Sequence, residues 1–188
     1  MIRRLIWLFI SLFLCFLIIQ VVRFHIELSN REMPDQLHPT VEEKKDQLID
    51  QARDSGIDIV ITDGFRSIDE QDQLYQQGRS TEGSVVTYAQ GGESYHNYGL
   101  AIDFALKSQD GEIIWDMQYD GNNSGEPDWL EVVDIAKSLE FTWGGDWDRF
   151  PDYPHLQLDD GLSIQQLQRG YRPGDDLLNF IFFIDDGH

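Results

Sequence analysis

The side chains best suited to chemistry in this chain are His96, Asp103, Asp152 and His155, with Arg66 upstream of them. Two neutral imidazoles and one carboxylate are the donor set expected of a catalytic zinc site, which keeps a fourth position open. The local patterns say how three of these residues can meet. In an extended strand through Asp103, Leu100, Ile102 and Phe104 share one face, while Ala101, Asp103 and Ala105 share the other. The carboxylate therefore stands among small residues, with room above it for a ligand. Around His155 the same period of two sets His155 and Gln157 opposite Leu156 and Leu158. His96 comes just before the first of these strands, where a loop can turn it inward. Two histidines and one aspartate from separate segments can then meet on one sheet face.

Each of these residues alone has a plainer reading. A single His is more often a surface or hydrogen-bonded structural residue, and that reading suits His25, His38 and the terminal His188. Asp152, three residues before His155, is the candidate general base; by itself it reads as a turn former between Pro151 and Pro154. Arg66 stands beside Gly64 and Phe65 at a strand end, placed for a substrate carboxylate, a scissile carbonyl or an ordinary salt bridge. Trp143, Trp147, Tyr95 and Tyr98 can line a cleft or fill a core. The one cysteine, Cys15, excludes an intrachain disulfide and a cysteine cluster, so a transition-metal site must use His and carboxylate.

The elements that must position these groups are legible in outline. Thr40 and Glu43 have capping-box spacing before Val41, Leu48, Ile49 and Ala52, and Gly56 is a stop, which predicts a helix. A β-rich run at 57–62 leads to Arg66, and Ser67 with Glu70 starts a second helix that ends near Gly78. Residues 79–97 form a polar loop, residues 99–106 a strand, and Asp110 with Gly111 a hairpin returning through 112–115. Asp128 and Glu131 open a helix, residues 154–158 form a last short strand, and Ser163 with Gln166 start a short helix closing near Gly170. This mixture predicts an α+β class: a small single domain with a central antiparallel sheet flanked by helices.

Residues 5–22 carry no charge and no proline, directly after Arg3 and Arg4. As a helix they span roughly 27 Å at about 1.5 Å per residue, enough to cross a bilayer once. The run is long for a cleaved signal, and no small-residue cleavage site follows it. The expected organisation is a transmembrane signal anchor at 1–23, a stalk at 24–39, a domain at 40–170 and a C-terminal tail at 171–188, whose apolar stretch at 177–184 reads as docked. The N-terminal arginines place the domain outside. Residues 31–188 hold 11 basic and 33 acidic side chains, a formal charge of -22. Such a surface repels phosphate backbones and argues against a nucleic-acid partner.

Taken together, the motifs resemble a known family. Ser94, His96, Gly99, Ala101 and Asp103 follow the Ser-x-His-x-x-Gly-x-Ala-x-Asp pattern of the VanY-like D-alanyl-D-alanine carboxypeptidases and L-alanyl-D-glutamate endopeptidases. Asp152 and His155 are similar to its acid-x-x-His element, and Gly64 to Ser67 to its Gly-Tyr/Phe-Arg-Ser turn, all in the family's order. The resemblance covers roughly residues 40–170. It implies zinc held by His96, Asp103 and His155, Asp152 as base, and Arg66, Ser94 and Trp143 toward substrate. It further implies peptidoglycan stem peptides as substrate, at the outer face of a bacterial membrane. The carboxypeptidase branch usually has Glu-Pro-Trp-His where this chain has Asp152-Tyr-Pro-His155, and the Trp-Gly-Gly-Asp-Trp run at 143–147 is closer to the endopeptidase branch. The bond expected is therefore L-Ala-D-Glu, the alternative D-Ala-D-Ala. A rival from another class is a non-catalytic module that only binds the cell wall.

Overall fold

Alternating apolar residues around Asp103 demand a strand with one face on a core, and the computed structural model, which describes residues 2–182, has it at the centre of a sheet. The chain forms α1 (Ile2–Ser29), α2 (Pro39–Asp54), β1 (Ile59–Asp63), α3 (Ile68–Gln76), β2 (Ala101–Lys107), β3 (Ile113–Ile114), α4 (Asp128–Ser138), β4 (Thr142–Trp143), β5 (His155–Gln157), α5 (Ile164–Gln168) and α6 (Leu177–Phe182). The sheet runs β1-β2-β5-β4, with β3 beside the far end of β2, and every pairing is antiparallel. The α+β class with an antiparallel sheet is thus observed.

Two compact units divide the chain, residues 33–164 in one and the residues before and after them in the other. In the 33–164 unit, Leu100, Ile102, Phe104 and Leu106 are almost fully buried on the side of the sheet covered by α2 and α4. Phe104 and Trp129 pack with ring centroids 4.7 Å apart. Truncating a buried aromatic of this kind costs about 3–5 kcal/mol. The opposite face of β2, carrying Ala101, Asp103 and Ala105, is left for the site.

The helix starts show where local rules hold and where they shift. At α3, Ser67 and Glu70 form the full capping box that their spacing predicts. At α2 the cap falls two residues earlier than expected. Pro39 occupies the first turn, where its missing N–H costs nothing, and His38 Nδ1 accepts from Thr40 N at 3.4 Å. His38 is thus a helix cap of the domain rather than a stalk residue. The hairpin after β2 turns at Gly111 as predicted, with φ 85°, but its return strand is only two residues long.

In the second unit, α1 continues through Phe24 to Ser29, into the segment expected as stalk. The reason is side-chain packing: Phe24 lies 5.2 Å from the Phe180 ring of α6 and 6.0 Å from Tyr171. Residues 177–182 of the apolar tail form α6 against α1, while residues 183–188 of that expectation lie outside the described residues.

Gly99 is the backbone hinge between the loop and β2. Its φ is 67°, and a Cβ there would meet Gln36 O at 2.3 Å and His38 N at 2.9 Å. Gly99→Ala therefore combines left-handed strain with a backbone clash. Denaturant unfolding of the detergent-solubilised chain, followed by Trp fluorescence, is expected to show a loss of about 2–4 kcal/mol.

Candidate active site

Strand register assembles the chemistry. Asp63, Asp103 and His155 are direct cross-strand partners on β1, β2 and β5. Opposed residues in antiparallel strands point to the same face, so all three side chains emerge together. His96 arrives from a 3-10 turn, Tyr95–Tyr98, whose entry is capped by Ser94 and Asn97 and whose exit is Gly99. Asn97 Nδ2 also donates to Arg66 O at 2.8 Å, and Arg66 N donates to His96 O at 3.1 Å. These bonds tie the His96 turn to the Arg66 turn.

Three donor atoms converge. His96 Nε2 and His155 Nδ1 are 3.1 Å apart, and they stand 3.3 and 3.4 Å from Asp103 Oδ1. The second nitrogen of each ring is already engaged. His96 Nδ1 lies 2.7 Å from Gly64 O, a carbonyl that can only accept, so Nδ1 carries the proton and Nε2 presents a lone pair. His155 Nε2 lies 3.1 Å from Gln157 Oε1, and Gln157 Nε2 donates to Asp159 Oδ2 at 2.8 Å. That chain of bonds orients Gln157 as acceptor and leaves a lone pair on His155 Nδ1.

Two lone pairs and a carboxylate oxygen thus face one another in a buried spot. Asp103 Oδ1 accepts no aligned hydrogen bond from any described residue, which for a buried charged oxygen costs several kcal/mol unless a cation is supplied. Ligands about 2.0–2.1 Å from a tetrahedral zinc ion stand roughly 3.3–3.4 Å apart, close to the separations here. His96, Asp103 and His155 are therefore a group that can hold a metal ion. Burial pushes the Asp103 carboxyl up; when a proton rather than a cation sits among the three atoms, hydrogen bonds and positive charge from His155 and His96 outweigh burial and hold the group well below the usual carboxylate range.

Asp152 enters from the loop before β5. Its backbone N donates to Gly144 O at 3.0 Å, and a Cβ on Gly144 would stand 2.5 Å from Asp152 O and 3.0 Å from His155 Cβ. Only glycine at 144 lets this loop lie so close to β5. Burial raises the Asp152 carboxyl pKa, and Asp103 raises it further, against weaker lowering by His155, His96 and Arg66. Arg66 is held by Asp63 through Nε and Nη2, and by Gln71 Oε1 through Nη1 at 2.8 Å, with Nη2 3.7 Å from Asp103 Oδ2.

Arg66, Ser94, His96, Asp103, Asp152 and His155 line one cavity of about 670 Å³. Trp143, expected at the substrate, does not line it. Its register partner is Leu156, so its indole leaves the other side of the sheet, 8% exposed, and donates to Tyr153 O at 2.7 Å. Trp147 and Tyr95, read as cleft or core, do line the cavity, whereas Tyr98 is buried. Sequence reasoning missed the partners of the site residues. Gln157 was visible on the face of His155, but its bond to the imidazole was not. Gln71, bonded to both Arg66 and Ala89 O, had no signal beyond its place on α3.

A family profile described as D-alanyl-D-alanine carboxypeptidase matches residues 87–158, the span from before Ser94 to just beyond His155. The peptidoglycan L-alanyl-D-glutamate endopeptidase CwlK of Bacillus subtilis (strain 168) is 63% identical over 131 residues, which cover 70% of this chain and 78% of CwlK. The chain belongs to this peptidase family. Solved structures agree on the fold. DacB from Streptococcus pneumoniae superposes with a TM-score of 0.51 at 21% identity, over 77% of this chain and 82% of its own. The LdcB LD-carboxypeptidase gives 0.50 at 22%, over 72% and 77%.

The bond from His155 to Gln157 gives a direct test. Gln157→Leu removes the acceptor that fixes the His155 tautomer, and loss of such an outer partner typically weakens metal binding by about 10–100-fold. Competition against a chromophoric chelator should show that drop.

Proposed function

We propose that this chain is an L-alanyl-D-glutamate endopeptidase that hydrolyses peptidoglycan stem peptides outside the cell, with one zinc ion held by His96, Asp103 and His155. The observation that carries the reading is the convergence of two imidazole lone pairs and an unsatisfied carboxylate oxygen on one point of a cavity that also contains Asp152 and Arg66. The similarity to CwlK and the Trp-Gly-Gly-Asp-Trp run support the endopeptidase over the D-Ala-D-Ala carboxypeptidase. A binding module that had lost catalysis would have no need to keep an acid beside the donor set.

Zinc bound there would supply Lewis acidity at an open fourth position. The chain's own groups do the rest. Asp152, ionised, takes a proton from the attacking water and returns it to the leaving amine, which requires a carboxylate close to the cleaved bond but not itself a ligand. Its raised pKa makes it a better base than an exposed Asp, and the same shift means the base form is lost at a higher pH on acidification. Arg66 donates to the carbonyl oxygen as negative charge develops on it, and the bonds to Asp63 and Gln71 hold its guanidinium ready before substrate arrives. Ser94 shapes the cavity wall and caps the turn that presents His96.

The N-terminal helix supports a membrane anchor. Ile2–Ser29 is 28 residues long with mean hydropathy 2.8 in its most apolar window, and Arg3 and Arg4 lie on the expected inner side. A tether of this kind keeps the peptidase beside the wall it acts on.

Mass spectrometry of muropeptides digested by the detergent-solubilised chain is expected to show scission between L-Ala and D-Glu; release of terminal D-Ala alone would overturn the endopeptidase reading. Asp152→Asn should reduce turnover about 10²–10⁴-fold while the chain still binds one zinc ion, measured by elemental analysis.

A further inference from the structure

The 33–164 unit exposes five large aromatic side chains: Tyr88, Trp115, Trp147, Phe150 and Tyr153. Three of them, Tyr88, Trp147 and Phe150, line the cavity that holds the donor set, although they are 65%, 36% and 49% exposed. They come from two loops. Tyr88 and Phe150 meet edge to face with centroids 4.8 Å apart, and the Arg79 guanidinium lies 5.5 Å from the centre of the Tyr88 ring. Trp147 packs 5.2 Å from the His155 ring, so this aromatic rim begins beside the metal-binding group. Phe150 holds a φ of 55°, a conformation that costs a non-glycine residue on the order of 1–3 kcal/mol. A domain this acidic would gain solubility from polar groups here, yet it spends exposed aromatic surface on the mouth of its cavity.

We propose that this rim binds the N-acetylmuramyl sugar to which the stem peptide is attached, so that the preferred substrate is glycan-linked peptide rather than free peptide. The inference rests on the endopeptidase reading above. In peptidoglycan the L-Ala whose carbonyl is cut is itself amide-linked to the lactyl group of that sugar. The pyranose ring therefore lies two units of extended chain beyond the reacting carbonyl, the L-Ala residue and the lactyl group, roughly 7 Å, which carries it past the donor set toward the cavity mouth. Its pyranose ring offers apolar C–H faces that pack on aromatic rings, whose faces are electron-rich. The lactyl carboxylate is consumed in the amide, so the sugar is uncharged. An uncharged ligand suits a unit with strong acidic excess, where an anionic polymer of the wall would be repelled.

The test compares kcat/KM of the detergent-solubilised full chain on the tripeptide L-Ala-γ-D-Glu-diaminopimelate and on the same peptide carrying the N-acetylglucosaminyl-N-acetylmuramyl disaccharide. The expected result is a preference of about 10-fold or more for the glycan-linked substrate, carried mainly by KM. Tyr88→Ala and Phe150→Ala should each reduce that ratio toward unity, and Tyr88→Trp should retain it, since an aromatic face is kept. Equal efficiency on the two substrates, or a ratio that neither alanine variant changes, overturns the sugar site alone. Cleavage of neither substrate by the zinc-loaded chain overturns the endopeptidase reading and this inference with it.

Discussion

Two imidazole lone pairs and a carboxylate oxygen directed at one another inside a protein repel, and nothing in the covalent chain cancels that repulsion. Gly64 O and Gln157 Oε1 take up the ring protons of His96 and His155, so neither ring can relieve the other without giving up a bond. The arrangement is stable only with a cation among the three atoms, or with a proton in its place. Everything else in the 33–164 unit can be understood as a scaffold that holds this unfavourable grouping in position. The energy for doing so comes from the opposite face of the same sheet, where Phe104, Trp129 and the buried aliphatic residues of β2 meet α2 and α4.

The scaffold works through backbone proximity more than through side-chain bulk. Antiparallel register alone sets Asp63, Asp103 and His155 abreast, so an ion-pair partner for Arg66, a carboxylate donor and an imidazole share one face without any loop intervening. The two groups that strands do not supply, His96 and Asp152, come on short segments that pass unusually close to other backbone. Each passage is opened by a glycine, Gly99 in one case and Gly144 in the other. Placement of His96 and of Asp152 thus rests on missing side chains, and such positions tolerate change poorly for reasons unrelated to chemistry.

The roles proposed for the carboxylates follow from their surroundings. Asp103 faces two imidazoles, and positive charge placed among the three groups, as a proton or a cation, keeps it ionised despite burial. Asp152 is half-buried, and burial and Asp103 push it the opposite way, which suits the general base proposed for it. Asp63 is occupied by Arg66 and serves to aim it. Three aspartates within one site therefore differ in environment because of what each one faces, and no property of the residue type itself distinguishes them.

The order of residue types along the chain determined a good deal by itself. Strand periodicity set which side of β2 and β5 carries Asp103 and His155, the Ser67 to Glu70 spacing set the start of α3, and the apolar run after Arg3 and Arg4 set a helix long enough to span a bilayer. These are local rules, in which each residue constrains only neighbours a few positions away. Tertiary structure alone decided the rest. The register of β4 on β5 turned Trp143 away from the cavity and left Trp147 to line it, His38 became a helix cap because Pro39 took the first turn, and packing of Phe24 on Phe180 extended α1 past its apolar run. The partners that orient the imidazoles and Arg66 lay equally beyond reach, since Gly64 is 32 residues from His96, and the bond of Gln71 to Arg66 depends on how α3 meets the strand end. Contacts between distant residues follow from how whole elements pack, and that is a property of the assembled sheet and helices rather than of any short stretch of chain.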